Sequence, residues 1–145
     1  MQKIVIGRQY AIEAIKAIKR ARKNIRIVMY DWRWYSALNG SAIQKLNIEI
    51  MRAKARGVEI MAVVNREATQ KILARIGISA AVVATRKTIH TKILMIDDQI
   101  AIVGSHNLTH NAMEVNIEVS VITDDYESIC QLLAIHAALW SKKQL

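Results

Sequence analysis

The chain has 145 residues, 52% of them hydrophobic, which suits one folded core and excludes a disordered chain. One cysteine excludes an intrachain disulfide, and no apolar run approaches the ~18 residues of a membrane-spanning helix. Residues 1–7 are too short for a signal-peptide core, so we expect a single cytoplasmic domain over residues 1–145, with no stable membrane association.

Positive charge is concentrated in the first two thirds of the chain. Residues 1–92 hold 19 basic and 5 acidic residues, whereas residues 93–145 hold 2 and 7, within a formal net charge of +9. This surplus favours a polyanionic partner, nucleic acid or an anionic membrane surface, because each neutralised phosphate releases a condensed counterion. The alternative is that the charge serves solubility alone.

The first half of the chain alternates helical and strand patterns. Isoleucine and alanine recur at helical spacing near the start, and the lysines and arginines between them favour a solvated face over a binding surface. The predicted elements here are a helix over 8–23, a strand over 25–30, a helix from Ser41 or Asn39 to about 56, and a strand over 58–64.

The second half adds four strands between two helices. Strands over 88–96 and 100–103 are joined by the polar turn Asp97-Asp98-Gln99, which indicates a hairpin. The other predicted elements are a helix over 68–76, a strand over 78–84, a strand over 116–122 and a helix over 124–140. The sequence therefore predicts an α/β fold, a mixed, mainly β-sheet core with helices on both faces.

His90 and Lys92 interrupt an otherwise apolar strand. The two-residue period of a strand places both on one face. Because lysine is almost never buried without a partner, this face should border a cleft or an anion. The alternative is an edge strand whose polar face meets water.

The hairpin should return the loop Gly104-Ser105-His106-Asn107 to the side of His90. A histidine, a lysine and neutral donors would then converge, which are the groups that a phosphodiester needs for attack and charge stabilisation. No carboxylate cluster has metal-ligand spacing, so we expect no metal and no cofactor. His106 and His110 could form a metal pair on a helix, but no third ligand lies at the usual spacing.

One long, gapped pattern resembles a known family. The chain contains His90-x-Lys92-x4-Asp97-x6-Gly104-Ser105-x-Asn107, which resembles the HKD signature of the phospholipase D superfamily. Asn116-x-Glu118 is similar to the Asn-x-Glu that follows this loop in the family. The short, single-motif form looks most like the Nuc-type endonucleases, which are metal-independent phosphodiesterases. Since members usually need two motifs, the resemblance implies a homodimer that brings two copies of His90 together.

The resemblance also implies roles for the site residues. His90 of one subunit would attack phosphorus, and His90 of the other would protonate the leaving oxygen. Lys92 and Asn107 would hold the nonbridging oxygens, with Ser105 a weaker candidate. Glu118 would accept a hydrogen bond from the other nitrogen of His90 and fix its tautomer.

Two further assignments leave alternatives open. Asp97 belongs to the predicted catalytic set, although its place at a hairpin turn fits a structural role equally well. The aromatic cluster after the first predicted strand can stack bases and pair phosphates, but it also suits core or interface packing. The predicted substrate-binding residues are Trp32, Arg33, Trp34, Gly104 and His106.

The sequence thus predicts a nonspecific endonuclease that hydrolyses DNA or RNA through a phosphohistidine. One alternative is a phospholipase or transferase acting on lipid headgroups, for which 145 residues leave little room. Another is a nucleic-acid-binding module without activity, against which the intact motif argues.

Overall fold

The computed structural model describes residues 1–36, 39–83 and 87–142, which form seven strands and four α-helices. The strands are β1 (Gln2–Ile6), β2 (Asn24–Met29), β3 (Glu59–Val64), β4 (Ser79–Val82), β5 (Lys92–Ile96), β6 (Ile100–Gly104) and β7 (Val119–Thr123). The helices are α1 (Gln9–Arg20), α2 (Ala42–Ala55), α3 (Glu67–Arg75) and α4 (Tyr126–Trp140), and a π-helical turn over Asn111–Val115 precedes β7. None of these helices has the length and apolarity needed to cross a bilayer.

The strands of these residues form one mixed sheet in the order β1-β7-β6-β5-β2-β3-β4. β2, β3 and β4 are parallel and are connected by α2 and α3, whereas every other neighbouring pair is antiparallel. The predicted α/β class with a mixed sheet is confirmed.

The strand directions bring particular strand ends together at one end of the sheet. The carboxyl ends of β1, β2, β3, β4 and β6 lie there, beside the amino ends of β5 and β7. His90 precedes β5 and Gly104 ends β6, so both lie at this end, which we call the His90 end. Asp97 follows the carboxyl end of β5 and therefore lies at the opposite end.

Successive side chains of β2 point to opposite faces of the sheet and pack into two separate cores. Ile25, Ile27 and Met29 pack into the larger core beneath α1, α2 and α3. Val28 points the other way and packs into a smaller core with Ile129 of α4. Helices therefore cover both faces, as the sequence predicts.

Helix ends follow the predicted local signals. Ser41 is the N-cap of α2, since its Oγ accepts a hydrogen bond from the Gln44 N–H at 3.3 Å. Asn39 instead accepts from the Ser41 N–H. Gly57 adopts a φ of +94° just after α2, a left-handed conformation that glycine takes without a Cβ penalty.

Several boundaries differ from the prediction, and β1 was not predicted at all. The strand expected over 88–96 begins at Lys92 and the one over 116–122 begins at Val119, because the preceding residues pair with no neighbouring strand. The helix expected over 8–23 ends at Arg20. The strand expected over 78–84 is observed over Ser79–Val82, and position 84 lies outside the described residues.

Candidate active site

Lys92 lies directly against His90. It begins β5 opposite Met29 and is only 8% exposed, whereas His90 is exposed. The Lys92 Nζ donates to the His90 carbonyl at 2.6 Å and lies 3.0 Å from His90 Nδ1. Burial lowers the pKa of Lys92, and the nearby Glu118 charge opposes this shift. Since an ammonium only donates, Nδ1 is the acceptor here, and a neutral His90 ring carries its proton on Nε2.

Tyr30 completes the contacts of this pair, and the sequence analysis did not identify it. Its ring centroid is 4.6 Å from that of His90, with the rings tilted by 43°. The Lys92 ammonium lies 5.4 Å from the centroid of the same ring, within cation–π range. Tyr30 follows Met29, so the antiparallel register of β2 and β5 was the signal that could have revealed it.

Asn107 is oriented by the chain segment that follows Tyr30. Its Oδ1 accepts a hydrogen bond from the Asp31 N–H at 3.1 Å. Leu108 N–H donates to the Asp31 carbonyl at 3.0 Å, which ties the loop after β6 to the loop after β2. The Asn107 Nδ2 makes no hydrogen bond within the described ranges and remains a free donor.

Gly104 and Ser105 hold the end of β6 against β7. The Ser105 Oγ accepts from the Val119 N–H at 3.0 Å and contacts the Val119 carbonyl at 3.3 Å. A Cβ added at Gly104 would overlap the Cα and Oγ of Ser120. Both residues thus shape the loop, and the Ser105 hydroxyl already has protein partners.

Substituting Gly104 by alanine should destabilise the fold by roughly 1–3 kcal/mol, because the new methyl group meets backbone that cannot rotate away. Thermal unfolding followed by circular dichroism would measure the loss. Ser105→Ala is the control and should lower the melting temperature less, since it removes hydrogen bonds without adding volume. An unchanged melting temperature for Gly104→Ala would contradict this close approach.

Glu118 lies near Lys92 but does not contact His90. Its carboxylate accepts a weak hydrogen bond from Asn116 Nδ2 at 3.4 Å, and its carbonyl accepts from the Gly7 N–H. The predicted Glu118–His90 hydrogen bond is absent from the described part of a single chain, because Lys92 takes the Nδ1 position instead. Glu118 acts on this pair through its charge.

Asp97 has a structural role and is not part of the cluster around His90, so its catalytic assignment is wrong. Its carboxylate accepts hydrogen bonds from three consecutive backbone N–H groups, those of Arg22, Lys23 and Asn24. Burial acts to raise the pKa of Asp97, but these hydrogen bonds outweigh it and hold the pKa below the ordinary value. The aspartate of the motif therefore ties the turn after β5 to the start of β2.

His106 is buried, which contradicts its predicted role in binding substrate. Its Nδ1 lies 2.8 Å from Ser120 Oγ, its Nε2 lies 2.9 Å from the Gly7 carbonyl, and its ring stacks on Tyr10. Neither nitrogen remains for a ligand. His110 is exposed, and the described residues contain no group of three or more histidine, cysteine or acidic side chains that could hold a metal.

Two buried histidines should make the protein less stable in mild acid. Burial lowers the pKa of His106 and of His136 and outweighs the hydrogen bonds from the rings to the carbonyls of Gly7 and Met61. Below about pH 6.5 the unfolded chain therefore binds more protons than the folded chain. The contribution of these histidines to the free energy of unfolding is fully present above that pH and declines below it.

The melting temperature should therefore fall between about pH 7.5 and pH 5. His136→Gln should reduce the dependence on pH, whereas the exposed His110 serves as a control through His110→Gln. A melting temperature constant over this range would contradict the assignment.

The aromatic cluster belongs mainly to the core. Trp32 is buried, and its Nε1 donates to Asn47 Oδ1 at 2.8 Å, so its predicted role in substrate binding is wrong. Trp34 is half-buried and stacks on Trp32. Arg33 is exposed and forms an ion pair with Asp31 at 2.8 Å, and its role in substrate binding stays a prediction.

The residues that meet at the His90 end suit a phosphate ester. Tyr30 contacts His90, and the next residue, Asp31, orients Asn107, so the imidazole and the free amide flank one short segment. The Lys92 ammonium lies 3.0 Å from Nδ1 of the His90 ring. This arrangement offers a nucleophile, a cation and a neutral donor.

The fold defines an α/β domain with one mixed sheet. Residues 14–140 match the family described as cardiolipin synthase, PLD-like domain, and the chain belongs to that family. The predicted resemblance to the phospholipase D superfamily is confirmed. No match is found among curated proteins.

Solved structures agree on the fold. The chain is similar to NucT from Helicobacter pylori, with 21% identity, a TM-score of 0.80 and coverage of 99% of this chain and 98% of that chain. It is similar to Nuc from Salmonella typhimurium, described as a phospholipase D family member, with 20% identity, a TM-score of 0.81 and coverage of 99% and 97%. TrmBL2, an archaeal chromatin protein that binds DNA, has 17% identity and a TM-score of 0.67, and the match covers 99% of this chain and 53% of that one.

Proposed function

We propose that the protein is a phosphodiesterase, a nonspecific endonuclease that cuts nucleic acid through a phosphohistidine without a metal ion. The observation that carries the proposal is the Lys92 ammonium held 3.0 Å from Nδ1 of the exposed His90 ring. Asn107, which Asp31 orients, lies at the same end of the sheet. Lys92 and Asn107 supply the charge and the donor that the phosphate oxygens need. The basic surplus over residues 1–92 favours a nucleic acid substrate.

The first step forms a bond between phosphorus and His90 Nε2. The nucleophile needs a lone pair on Nε2, whereas Lys92 in the free site favours the ring with its proton there. A bound phosphate gives Lys92 a better acceptor in its nonbridging oxygens, so the ring proton can move to Nδ1 and leave the Nε2 lone pair free. The phosphorus–oxygen bond then breaks, and the leaving oxygen takes a proton from the His90 ring of a second copy.

Water completes the cycle. The second copy's ring, now neutral, removes a proton from water as the water oxygen attacks phosphorus. The phosphorus–nitrogen bond breaks, and its electron pair returns to Nε2 of the first His90. The second ring regains its proton from the water, the first ring keeps its own, and one phosphodiester and one water become an alcohol and a phosphomonoester.

Exposed apolar side chains near the site support the homodimer. α4 packs over β2 and β3 on one face of the sheet. On the same face, the described residues leave β1 and β7, at the other side of the sheet, without a covering helix. Ile4, Ile6 and Val119 point outward on this face, since Ile6 pairs with Val119 in the antiparallel register. At the His90 end, Val115 is 65% exposed and Ile117 is 94% exposed. A second copy seated here would remove this surface from water.

The proposal predicts that the purified protein nicks plasmid DNA in the presence of EDTA and leaves phosphatidylcholine vesicles intact. EDTA controls for metal ions, and the vesicles test the phospholipase alternative. Release of choline without nicking would assign the site to lipid. Binding of plasmid with no cleavage would favour a binding module, and activity lost only with EDTA would contradict the metal-free mechanism.

A further inference from the structure

The outer surfaces of α1 and α2 carry positive charge that the proposed chemistry does not use. A groove of about 310 Å³ runs between the two helices. We call it the α1–α2 groove, and it is lined by Ile15, Lys19, Lys45, Ile48, Glu49 and Arg52. It lies on the side of the sheet that α1, α2 and α3 cover, opposite the face that bears Ile4 and Ile6.

The charges in this groove are not balanced. Glu49 is nearly buried and lies 2.6 Å from Arg52 Nη1, so the two neutralise each other. Lys19 and Lys45 are exposed, and neither forms an ion pair with an acidic residue within the described ranges. Two lysines facing one groove repel each other, which an anion seated between them would relieve.

The positive surface continues along α1. Lys16 and Arg20 lie within a turn of Lys19, and Arg20 also lacks an ion pair with an acidic residue in the described part of the chain. Glu13 is the only acid in α1, and it is shared between Lys16 at 3.5 Å and Lys3 at 2.7 Å. These cations span about 6 Å near the carboxyl end of α1. Together with Lys45 near the start of α2 they form a positive surface along both helices, which matches an extended polyanion better than a single small anion.

We propose that the α1–α2 groove binds the phosphate backbone of a nucleic acid whose scissile phosphate lies at His90. Both helices begin at the His90 end, and Lys45 is the fourth residue of α2, only about 6 Å from its start. A strand that leaves the site would therefore meet Lys45 first and then Lys19, which lies farther along the groove near the carboxyl end of α1. Ile15 and Ile48 are half-buried in the groove lining and offer little apolar surface to insert into a membrane. This inference rests on the proposed function.

The test is a double variant, Lys19→Gln with Lys45→Gln. Its dissociation constant for an oligonucleotide of about 20 nucleotides should rise roughly tenfold at low salt, and the slope of affinity against salt should fall by about 2. Binding would be measured by fluorescence anisotropy in a His90→Ala background, so that no strand is cut. The matched control is Lys71→Gln with Lys142→Gln, which removes the same charge from exposed positions outside the groove.

Hydrolysis of bis(4-nitrophenyl) phosphate separates this inference from the proposed function. That small substrate binds at His90 and does not extend into the groove. The double variant Lys19→Gln with Lys45→Gln, made with His90 intact, should therefore hydrolyse it at the wild-type rate. No hydrolysis by the wild-type protein would count against the proposed function and leave the binding test intact. Binding equal to that of the control would overturn the inference, as would a loss seen only with anionic phosphatidylglycerol vesicles.

Discussion

Substituting His90 by alanine should lower phosphodiester hydrolysis by at least about 10³-fold. The variant loses the nucleophile of one copy and the proton donor of the other, and each role alone is typically worth 10²-fold or more. The fold should persist, because the ring is exposed and the partners that it contacts among the described residues are Tyr30 and Lys92. Rates on plasmid and on bis(4-nitrophenyl) phosphate, both in EDTA, would measure the effect.

His110→Ala is the matched control for this substitution. His110 is another exposed histidine in the segment after β6, so its removal changes the surface similarly without touching the Lys92 pair. It should retain wild-type rates, and both variants should melt within about 2 °C of the parent protein. A His90→Ala protein that keeps even a third of the parent rate would exclude His90 as the nucleophile.

Hairpin geometry explains why the sequence alone can place several residues of the candidate site at one end of the sheet. His90 and Lys92 are two residues apart on one strand, and a tight turn returns Asn107 to the same end of the sheet. These relations need only the period of a strand and the length of a turn. The orientation of Asn107 depends on Asp31, 76 residues earlier, and no local pattern indicates that contact.

The assignments of Asp97 and His106 fail because sequence spacing reveals neither the end of the sheet at which a residue lies nor whether its side chain is buried. Asp97 follows His90 by seven residues, which in an extended strand places it roughly 20 Å away at the far end of the sheet. His106 neighbours Ser105 and Asn107 in the loop, yet its ring turns inward to Gly7. The partner that buries it follows β1, a strand that the sequence analysis did not predict.

β1 was missed because its pattern resembles an amphipathic segment at the start of a chain. Within β1 only Val5 is buried, while Ile4 and Ile6 face outward and none of the described residues covers them. Tyr30 was missed for a different reason, since it contacts His90 through the pairing of β2 with β5 across 60 residues. Long-range strand pairing is the information that a single sequence lacks.

Substituting Ile4 by glutamate should separate the proposed homodimer and remove activity together. The side chain is 56% exposed at the middle of β1, the edge strand of the sheet, so a charge is tolerated in one chain but would be buried unpaired against a second. Sedimentation or light scattering should show the solution mass falling from two chains to one. Hydrolysis should fall in parallel, because one chain supplies one His90.

Ile12→Glu is the matched control, because Ile12 is 49% exposed on α1, on the other side of the sheet. It should remain dimeric and active. Mixing wild-type and His90→Ala chains one to one, with subunit exchange, should leave about a quarter of the wild-type activity, since random pairing gives that share of dimers with two intact rings. Activity near one half would mean that each chain works alone, and an active Ile4→Glu monomer would contradict the shared site directly.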